Sequence, residues 1–180
     1  MSRFESPWKD ALRTIIETYA QANHHEPSLK GSIFLGQAAL ESLAWVVLVE
    51  QGRILRPDGL KALRAADQIG LLLHELQIPR NIPPHFTALE KFGSHAKLNG
   101  PEALTEVRNK IIHAEPGMKR SVTAAVLDEA WLLAMHYVEL SLLRICDYKD
   151  IYYNRCKGPL MNECSVERVS LIGHSPPSAM

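Results

Sequence analysis

The chain has 180 residues, of which 46% are hydrophobic and 22% charged, a composition typical of a soluble globular protein with one domain and a tail. Its 20 basic and 20 acidic side chains balance, which excludes a global positive field that would draw the chain to nucleic acid or acidic membranes. The most apolar run, residues 43–49, is much shorter than the roughly 20 residues of a membrane-spanning helix, so it predicts a buried core helix.

The first part of the chain predicts two helices. Apolar residues recur at helical spacing over residues 8–19, with Ser6 as the N-cap and Pro7 at the first helical position. The second helix is expected over residues 32–51, where Gly52 ends it. Because this helix is apolar on most sides, it should lie at the centre of the fold or in a subunit interface.

The middle of the chain predicts three more helices. Asp58 is expected to cap the third, which must end before Pro79. The proline-rich residues 79–84 fit a rigid loop between helices better than a proline-rich ligand. A short fourth helix is expected over residues 86–92, and a fifth over residues 100–113.

The end of the chain predicts a long sixth helix over residues 121–148, and no strand is expected anywhere. After Gly158 the helical periodicity is lost, which is typical of a loose tail. We therefore predict an all-α fold, an up-and-down bundle of five to six helices over residues 1–155, followed by a C-terminal tail over residues 156–180.

Three polar side chains share the end of the fifth helix. Arg108 falls at the rim of the apolar sector, where it must be paired or partly desolvated. Asn109 and His113 are four residues apart and share another face, and the negative end of the helix dipole favours a proton on His113. Histidine suits proton transfer near neutral pH, and arginine suits phosphate. The alternative is a surface arginine and a histidine that only caps the helix.

The spacing of Arg108, Asn109 and His113 within residues 108–113 resembles the Arg-polar-x3-His motif of the HEPN superfamily. Members are compact helical bundles, and many are metal-independent ribonucleases. Residues 39–41 and 148–155 also resemble bacterial, ApeA-like HEPN domains. The resemblance implies a metal-free endoribonuclease that needs no cofactor and acts as a homodimer, with two motifs facing each other across a cleft.

The resemblance also implies a role for each motif residue. His113 would act as general base on a ribose 2′-hydroxyl or as acid toward the leaving 5′-oxygen, Arg108 would stabilise charge in the transition state, and Asn109 would orient the phosphate or the histidine. The expected products are a 2′,3′-cyclic phosphate and a 5′-hydroxyl, and the expected role is phage defence or toxicity. The toxin branch silenced by a nucleotidyltransferase has a tyrosine where this chain has Glu115, so that control is not expected. The alternative function is a non-catalytic HEPN module that binds RNA or a regulatory protein partner.

Other side chains are candidates for supporting roles. Glu41 falls on an apolar helix face, and we hypothesise that it pairs with Arg108 and aims it; otherwise it finds another base or reaches solvent. Basic and aromatic residues near the motif and near the chain end are candidates for RNA binding, although tyrosines there can instead pack the chain end onto the bundle or its dimer mate. These candidates are Lys110, Lys119, Arg120, Lys149, Tyr152 and Arg155.

The cysteines bear on compartment and metal binding. The chain has an odd number of cysteines, Cys146, Cys156 and Cys164, and its N-terminus has no apolar leader. We therefore expect the protein to lie in the reducing cytoplasm. With His174 they form a conceivable zinc set, but their gaps are long and irregular compared with paired zinc ligands. No metal is therefore expected.

Overall fold

The computed structural model describes residues 8–24, 28–113, 122–157 and 166–169. In that part of the chain it contains seven α-helices, a π-helical turn that continues α2, two 3-10 turns and two short strands. The helices are α1 Lys9–Asn23, α2 Leu29–Trp45, α3 Pro57–Lys61, α4 Ala65–Glu75, α5 Thr87–Gly93, α6 Gly100–Ile112 and α7 Ala124–Ile145. The π-helical turn is Val46–Gln51, the 3-10 turns are Ser94–Ala96 and Arg155–Lys157, and the strands are β1 Ile151–Tyr153 and β2 Val166–Arg168. The all-α prediction is confirmed in its main content, with more helices than the five to six expected.

Helix α2 lies at the centre of the fold. It packs against α1 on one side and α7 on another, with α4 and α6 also in contact. Together with the π-helical turn it forms a 23-residue helix, Leu29–Gln51, that by length and composition could cross a membrane. However, 61% of its most apolar window is buried within the fold, which explains its apolar surface without a bilayer. The predicted central position is therefore confirmed.

Polar caps explain where three of the helices begin. Ser28 accepts a hydrogen bond of 3.1 Å from a backbone N–H three residues later, so α2 starts before the predicted Ser32. Asn99 and Glu102 form a reciprocal capping box at α6, with hydrogen bonds of 3.1 and 2.8 Å. Thr123 caps α7 in the same way as Ser28, so this helix starts at Ala124, three residues after the predicted residue 121. At α1, the predicted cap Ser6 and Pro7 lie outside the described residues.

The third predicted helix is two helices, and the prediction that Asp58 caps it was wrong. Pro57 occupies the first position of α3, which places Asp58 inside the first turn rather than at the cap. The helix is interrupted between α3 and α4. There the side-chain amide of Gln68 donates to the carbonyl oxygens of Leu60 and Leu63 at 3.1 and 3.0 Å. Those bonds satisfy carbonyl groups that a continuous helix would otherwise have paired.

The prediction that the chain has no strand was also wrong. β1 and β2 pair antiparallel, with Ile151 opposite Arg168 and Tyr153 opposite Val166. Each strand has three residues, too few for an alternating apolar pattern to be recognised in the sequence. The predicted tail, residues 156–180, therefore contributes a strand, and it also contributes the buried side chains Cys156 and Val169.

Candidate functional site

Helix α6 presents the motif because its apolar face is fixed in the core. Leu104 and Val107 are buried as predicted, Ile111 is partly buried, and the helix packs against α4 and α7. The predicted fourth member of this face, Ala114, lies outside the described residues. The polar face of α6 consequently points away from the core and ends at residue 113.

Arg108 is half-buried, as its position at the rim of the apolar face predicts. Its Nη1 donates a hydrogen bond of 3.2 Å to Oδ1 of the adjacent Asn109. No carboxylate of a described residue forms an ion pair with Arg108. The bonded partner of Arg108 among the described residues is therefore the neutral Asn109 amide, which holds one end of the guanidinium.

His113 is exposed at the point where α6 ends. Its backbone leaves helical geometry, with φ −104° and ψ 59°, and its N–H donates to the carbonyl oxygen of Asn109 at 2.8 Å. The bond to His113 is the usual backbone bond between residues four apart in a helix, so the side-chain bond within the motif is the one between Arg108 and Asn109. An exposed imidazole can exchange protons with water and with a bound molecule, which a buried one cannot do readily.

The hypothesised pairing of Glu41 with Arg108 is absent from the described part of the chain. Glu41 instead accepts a hydrogen bond of 2.7 Å from Nε2 of Gln37, one turn earlier on α2. The physical reason is proximity, because residues four apart on a helix face each other and the amide is a neutral, buried donor. The alternatives for Glu41 were another base or solvent; Glu41 is partly exposed, and its amide partner was not among the expectations.

The basic residues next to the motif are only partly described. Lys110 forms an ion pair of 3.5 Å with Glu106, one turn earlier on α6, and its side chain is only 16% exposed. Lys119 and Arg120 lie outside the described residues. Among the described residues, the positive charge at the motif therefore comes mainly from Arg108, because Glu106 partly neutralises Lys110.

Near the chain end, Tyr152 packs onto the bundle rather than standing free for RNA. Its ring stacks on His136 of α7, with centroids 6.3 Å apart and planes 26° apart, and its hydroxyl donates to Glu167 at 3.1 Å. Lys149 forms an exposed ion pair of 3.3 Å with Asp147. The structure therefore agrees with the alternative in which the tyrosine packs the chain end onto the bundle. Tyr152 is not free to bind RNA in this arrangement.

Arg155 is likewise occupied, in a network that the sequence did not reveal. Its Nε donates to Oε1 of Glu139 at 2.7 Å, and its guanidinium lies 5.6 Å from the ring centre of Trp131. The Tyr19 hydroxyl donates to the same Glu139 oxygen, and burial together with that carboxylate raises the pKa of Tyr19 to about 12. Glu139 therefore ties α1 and the C-terminal segment, described over residues 148–157 and 166–169, to α7. Its partners are 120 and 16 residues away and have no local sequence signal.

Burial also controls the titratable groups beneath the C-terminal segment. It lowers the pKa of His136 to about 4 and raises the pKa of the Cys156 thiol to about 12. Cys146 is exposed, whereas Cys164 and His174 lie outside the described residues. Among the residues that the structure describes, no group of three or more histidine, cysteine, aspartate or glutamate side chains could hold a metal ion.

Comparison with known proteins places the chain in a family. A family model described as the YopA C-terminal domain matches residues 5–167. A curated relative, the "SPbeta prophage-derived uncharacterized protein YopA" of Bacillus subtilis (strain 168), is 29% identical over 155 residues, which are 86% of this chain and 34% of the relative. The chain thus spans about a third of that relative's length. No solved structure matches.

Proposed function

From the premise that this chain belongs to the YopA C-terminal domain family, we propose that it is a HEPN-like domain that cleaves RNA as a metal-independent endoribonuclease. One observation carries the proposal: the last turns of α6 hold Arg108, whose guanidinium is bonded to the Asn109 side chain, and end at the exposed His113. The order of elements supports it, since in the described part of the chain the motif closes the penultimate α-helix and the 22-residue α7 follows as the last one. The phage origin in the relative's name fits a cytoplasmic role in phage defence or toxicity.

The proposed chemistry assigns one task to each side chain. The exposed imidazole of His113 takes the proton from a ribose 2′-hydroxyl or delivers one to the leaving 5′-oxygen. The guanidinium of Arg108 stabilises the negative charge that develops on the phosphoryl oxygens. Asn109 holds that guanidinium in place through its side-chain oxygen. Because the nucleophile belongs to the substrate, the reaction requires RNA and not DNA.

A second copy of the chain completes the proposed site. Ile112, between the two ends of the motif, is 47% exposed although it is a large apolar side chain. Burying it against another α6 would bring two copies of Arg108 and His113 to one cleft. This would give a local positive charge to a chain whose net charge is zero.

The first experiment incubates purified protein with single-stranded RNA in the presence of a chelator. We expect cleavage that leaves 2′,3′-cyclic phosphate ends, and we expect His113→Ala to lower the rate by about 100-fold or more, the usual contribution of a general acid or base. The control is His95→Ala, which removes another exposed histidine from the 3-10 turn after α5. Equal rates for wild type and His113→Ala, with folding intact, would refute the proposal.

A second variant tests the arginine. We expect Arg108→Ala to lower the cleavage rate by about 100-fold, because a donor aimed at developing charge contributes on that scale. Asn109→Ala should have a smaller effect, since it positions the guanidinium and does not itself carry charge. Binding of RNA without cleavage by wild type would favour the non-catalytic HEPN module instead.

A further inference from the structure

Three donors from the C-terminal segment converge on one carboxylate, that of Glu167 in β2. The Tyr152 hydroxyl and the Asn154 side-chain amide donate to Oε2 at 3.1 and 2.7 Å. The Lys157 ammonium forms an ion pair with Oε1. Burial by itself would raise the pKa of Glu167, but the bonds from Lys157, Asn154 and Tyr152 outweigh it and hold that pKa below its usual range. The donors therefore form a site for an oxygen anion, and the chain's own carboxylate fills it.

This donor set is also suited to a phosphate. Ammonium, hydroxyl and amide groups are the side-chain donors that proteins use on backbone phosphates of nucleic acids. One face of the Tyr152 ring packs on His136, so a base would have to stack on the opposite face once β2 has left. Lys149 is exposed but ion-paired with Asp147, and Arg168 belongs to β2 itself, so the positive charge left at the vacated site is that of Lys157. A single strand would find both a phosphate site and a stacking surface here, if Glu167 were absent from it.

The two strands are attached to the bundle with unequal strength. β1 and the turn after it are held by the Tyr152 ring on His136 and by the ion pair of Arg155 with Glu139. Apart from the three side-chain bonds to Glu167, β2 is held by its pairing with β1, and Val169, the residue after it, is buried and donates its N–H to the carbonyl oxygen of Asp150 at 3.2 Å. Val166, at its other end, is exposed. A two-stranded ribbon of this length has little stability of its own, so β2 can detach while β1 stays in place.

We propose that β2 is an autoinhibitory latch, in which Glu167 occupies a site that binds a backbone phosphate of single-stranded RNA when β2 detaches. The inference rests on the proposed function in that it takes RNA as the ligand. It gives a further role to the basic and aromatic residues of 149–157, which the closed structure uses for packing and for ion pairs. The latch sets the affinity of the domain for RNA, and it leaves the chemistry at His113 unchanged.

The test measures binding of a fluorescein-labelled single-stranded RNA by anisotropy, in a His113→Ala background that prevents cleavage. If the latch is closed in about nine molecules of ten, freeing it tightens the apparent Kd about tenfold. We therefore expect Glu167→Gln to bind about tenfold more tightly. The control Glu90→Gln makes the same charge change at an exposed position of α5 and should bind like the parent.

Adding Lys157→Ala to Glu167→Gln identifies the phosphate site. The double variant should lose the gain in affinity, and the slope of log K against log salt should fall by about one. If Glu167→Gln and Glu90→Gln change the affinity equally, or if Lys157→Ala leaves the gain intact, the latch is overturned. If Glu167→Gln lowers the melting temperature, Glu167→Asp keeps the charge on a shorter arm and should give an intermediate affinity.

The two proposals fail in different ways. A gain of binding in Glu167→Gln without any cleavage by wild type would retain the latch and refute the ribonuclease. Cleavage that depends on His113, together with unchanged binding in Glu167→Gln, would retain the ribonuclease and refute the latch. A DNA strand of the same sequence, bound with the same gain, would show that the site reads the phosphate and not the ribose.

Discussion

At the scale of single residues, the ends of α4 and α7 adopt a conformation that favours glycine, yet neither has it. Gln77 and Asp147 have φ values of 54° and 55°. In both cases the next backbone N–H donates to a carbonyl five residues before it, from Ile78 to Leu73 at 2.7 Å and from Tyr148 to Leu143 at 2.9 Å. This motif usually places glycine at the left-handed position, because a Cβ costs about 1 kcal/mol there.

Replacing Gln77 by glycine should therefore stabilise the protein. We expect the free energy of unfolding to rise by about 0.5–1 kcal/mol, measured by urea denaturation. The control is Gln21→Gly, an exposed position inside α1, where glycine should instead cost up to about 1 kcal/mol. A loss of stability in Gln77→Gly would show that the glutamine side chain contributes more than its backbone strain costs.

At the scale of elements, the start of α6 depends on a close approach that only glycine allows. The N–H of Gly100 donates to the carbonyl oxygen of Arg80 at 2.7 Å. A Cβ on Gly100 would lie 3.0 Å from that oxygen and would collide with the hydroxyl of Tyr137 on α7. Since α6 carries the motif, the close approach at Gly100 fixes where this helix begins relative to the loop of residues 79–84 and to α7.

Substituting Gly100 by alanine should consequently destabilise the fold. We expect a loss of about 1–3 kcal/mol in the free energy of unfolding, the usual cost of inserting a methyl group into a packed site. Gly59→Ala in α3 is the matched control, because no atom lies within 4 Å of the Cβ it would add. That change should be neutral or slightly stabilising, and calorimetric melting of both variants distinguishes steric conflict from helix propensity.

At the scale of the whole molecule, the C-terminal segment covers a histidine that must stay neutral. His136 is 8% exposed, and burial lowers its pKa to about 4, with Glu167 opposing and Arg155 reinforcing the shift. In the unfolded chain this histidine has a pKa of about 6.5. Between pH 6.5 and 4 the unfolded chain therefore binds more protons at this side chain than the folded protein does. Above pH 6.5 His136 is neutral in both states and does not lower the free energy of unfolding. As the pH falls from 6.5 toward 4, the free energy of unfolding decreases.

The size of this effect can be measured. A shift of that extent corresponds to about 3 kcal/mol lost between pH 7 and pH 4. We expect urea denaturation of His136→Phe, which keeps a ring against Tyr152, to lose less stability than wild type over the same range. Parallel pH profiles for the two proteins would mean that other groups cause the acid sensitivity.

The proposed homodimer is also a property of the whole molecule. We expect Ile112→Asp to shift the protein toward monomer in light scattering and to lower RNA cleavage in proportion, because a charge replaces an apolar contact at the interface. Ile54→Asp is the control, since Ile54 is equally exposed on the segment between α2 and α3. A wild type that is monomeric at all concentrations would remove the composite cleft from the proposal.

The sequence alone determined the features that local patterns encode. Helical periodicity predicted the all-α content and the central position of α2, and the spacing of Arg108, Asn109 and His113 predicted that they share the end of one helix. The catalytic roles of those residues stay a prediction. Helix boundaries were displaced wherever a cap such as Ser28 acted a few residues from the apolar pattern.

Only the tertiary structure decided which partners the charged side chains take. Glu129 of α7 accepts hydrogen bonds of 3.3 and 2.7 Å from two backbone N–H groups at the start of α5, 41 and 40 residues away. Glu139 and Glu167 likewise bind groups from separate segments, and a neutral amide takes the place predicted for Arg108 beside Glu41. The physical reason is that periodicity depends on neighbours along the chain, whereas a carboxylate pairs with whichever donor folding brings within about 3 Å of it.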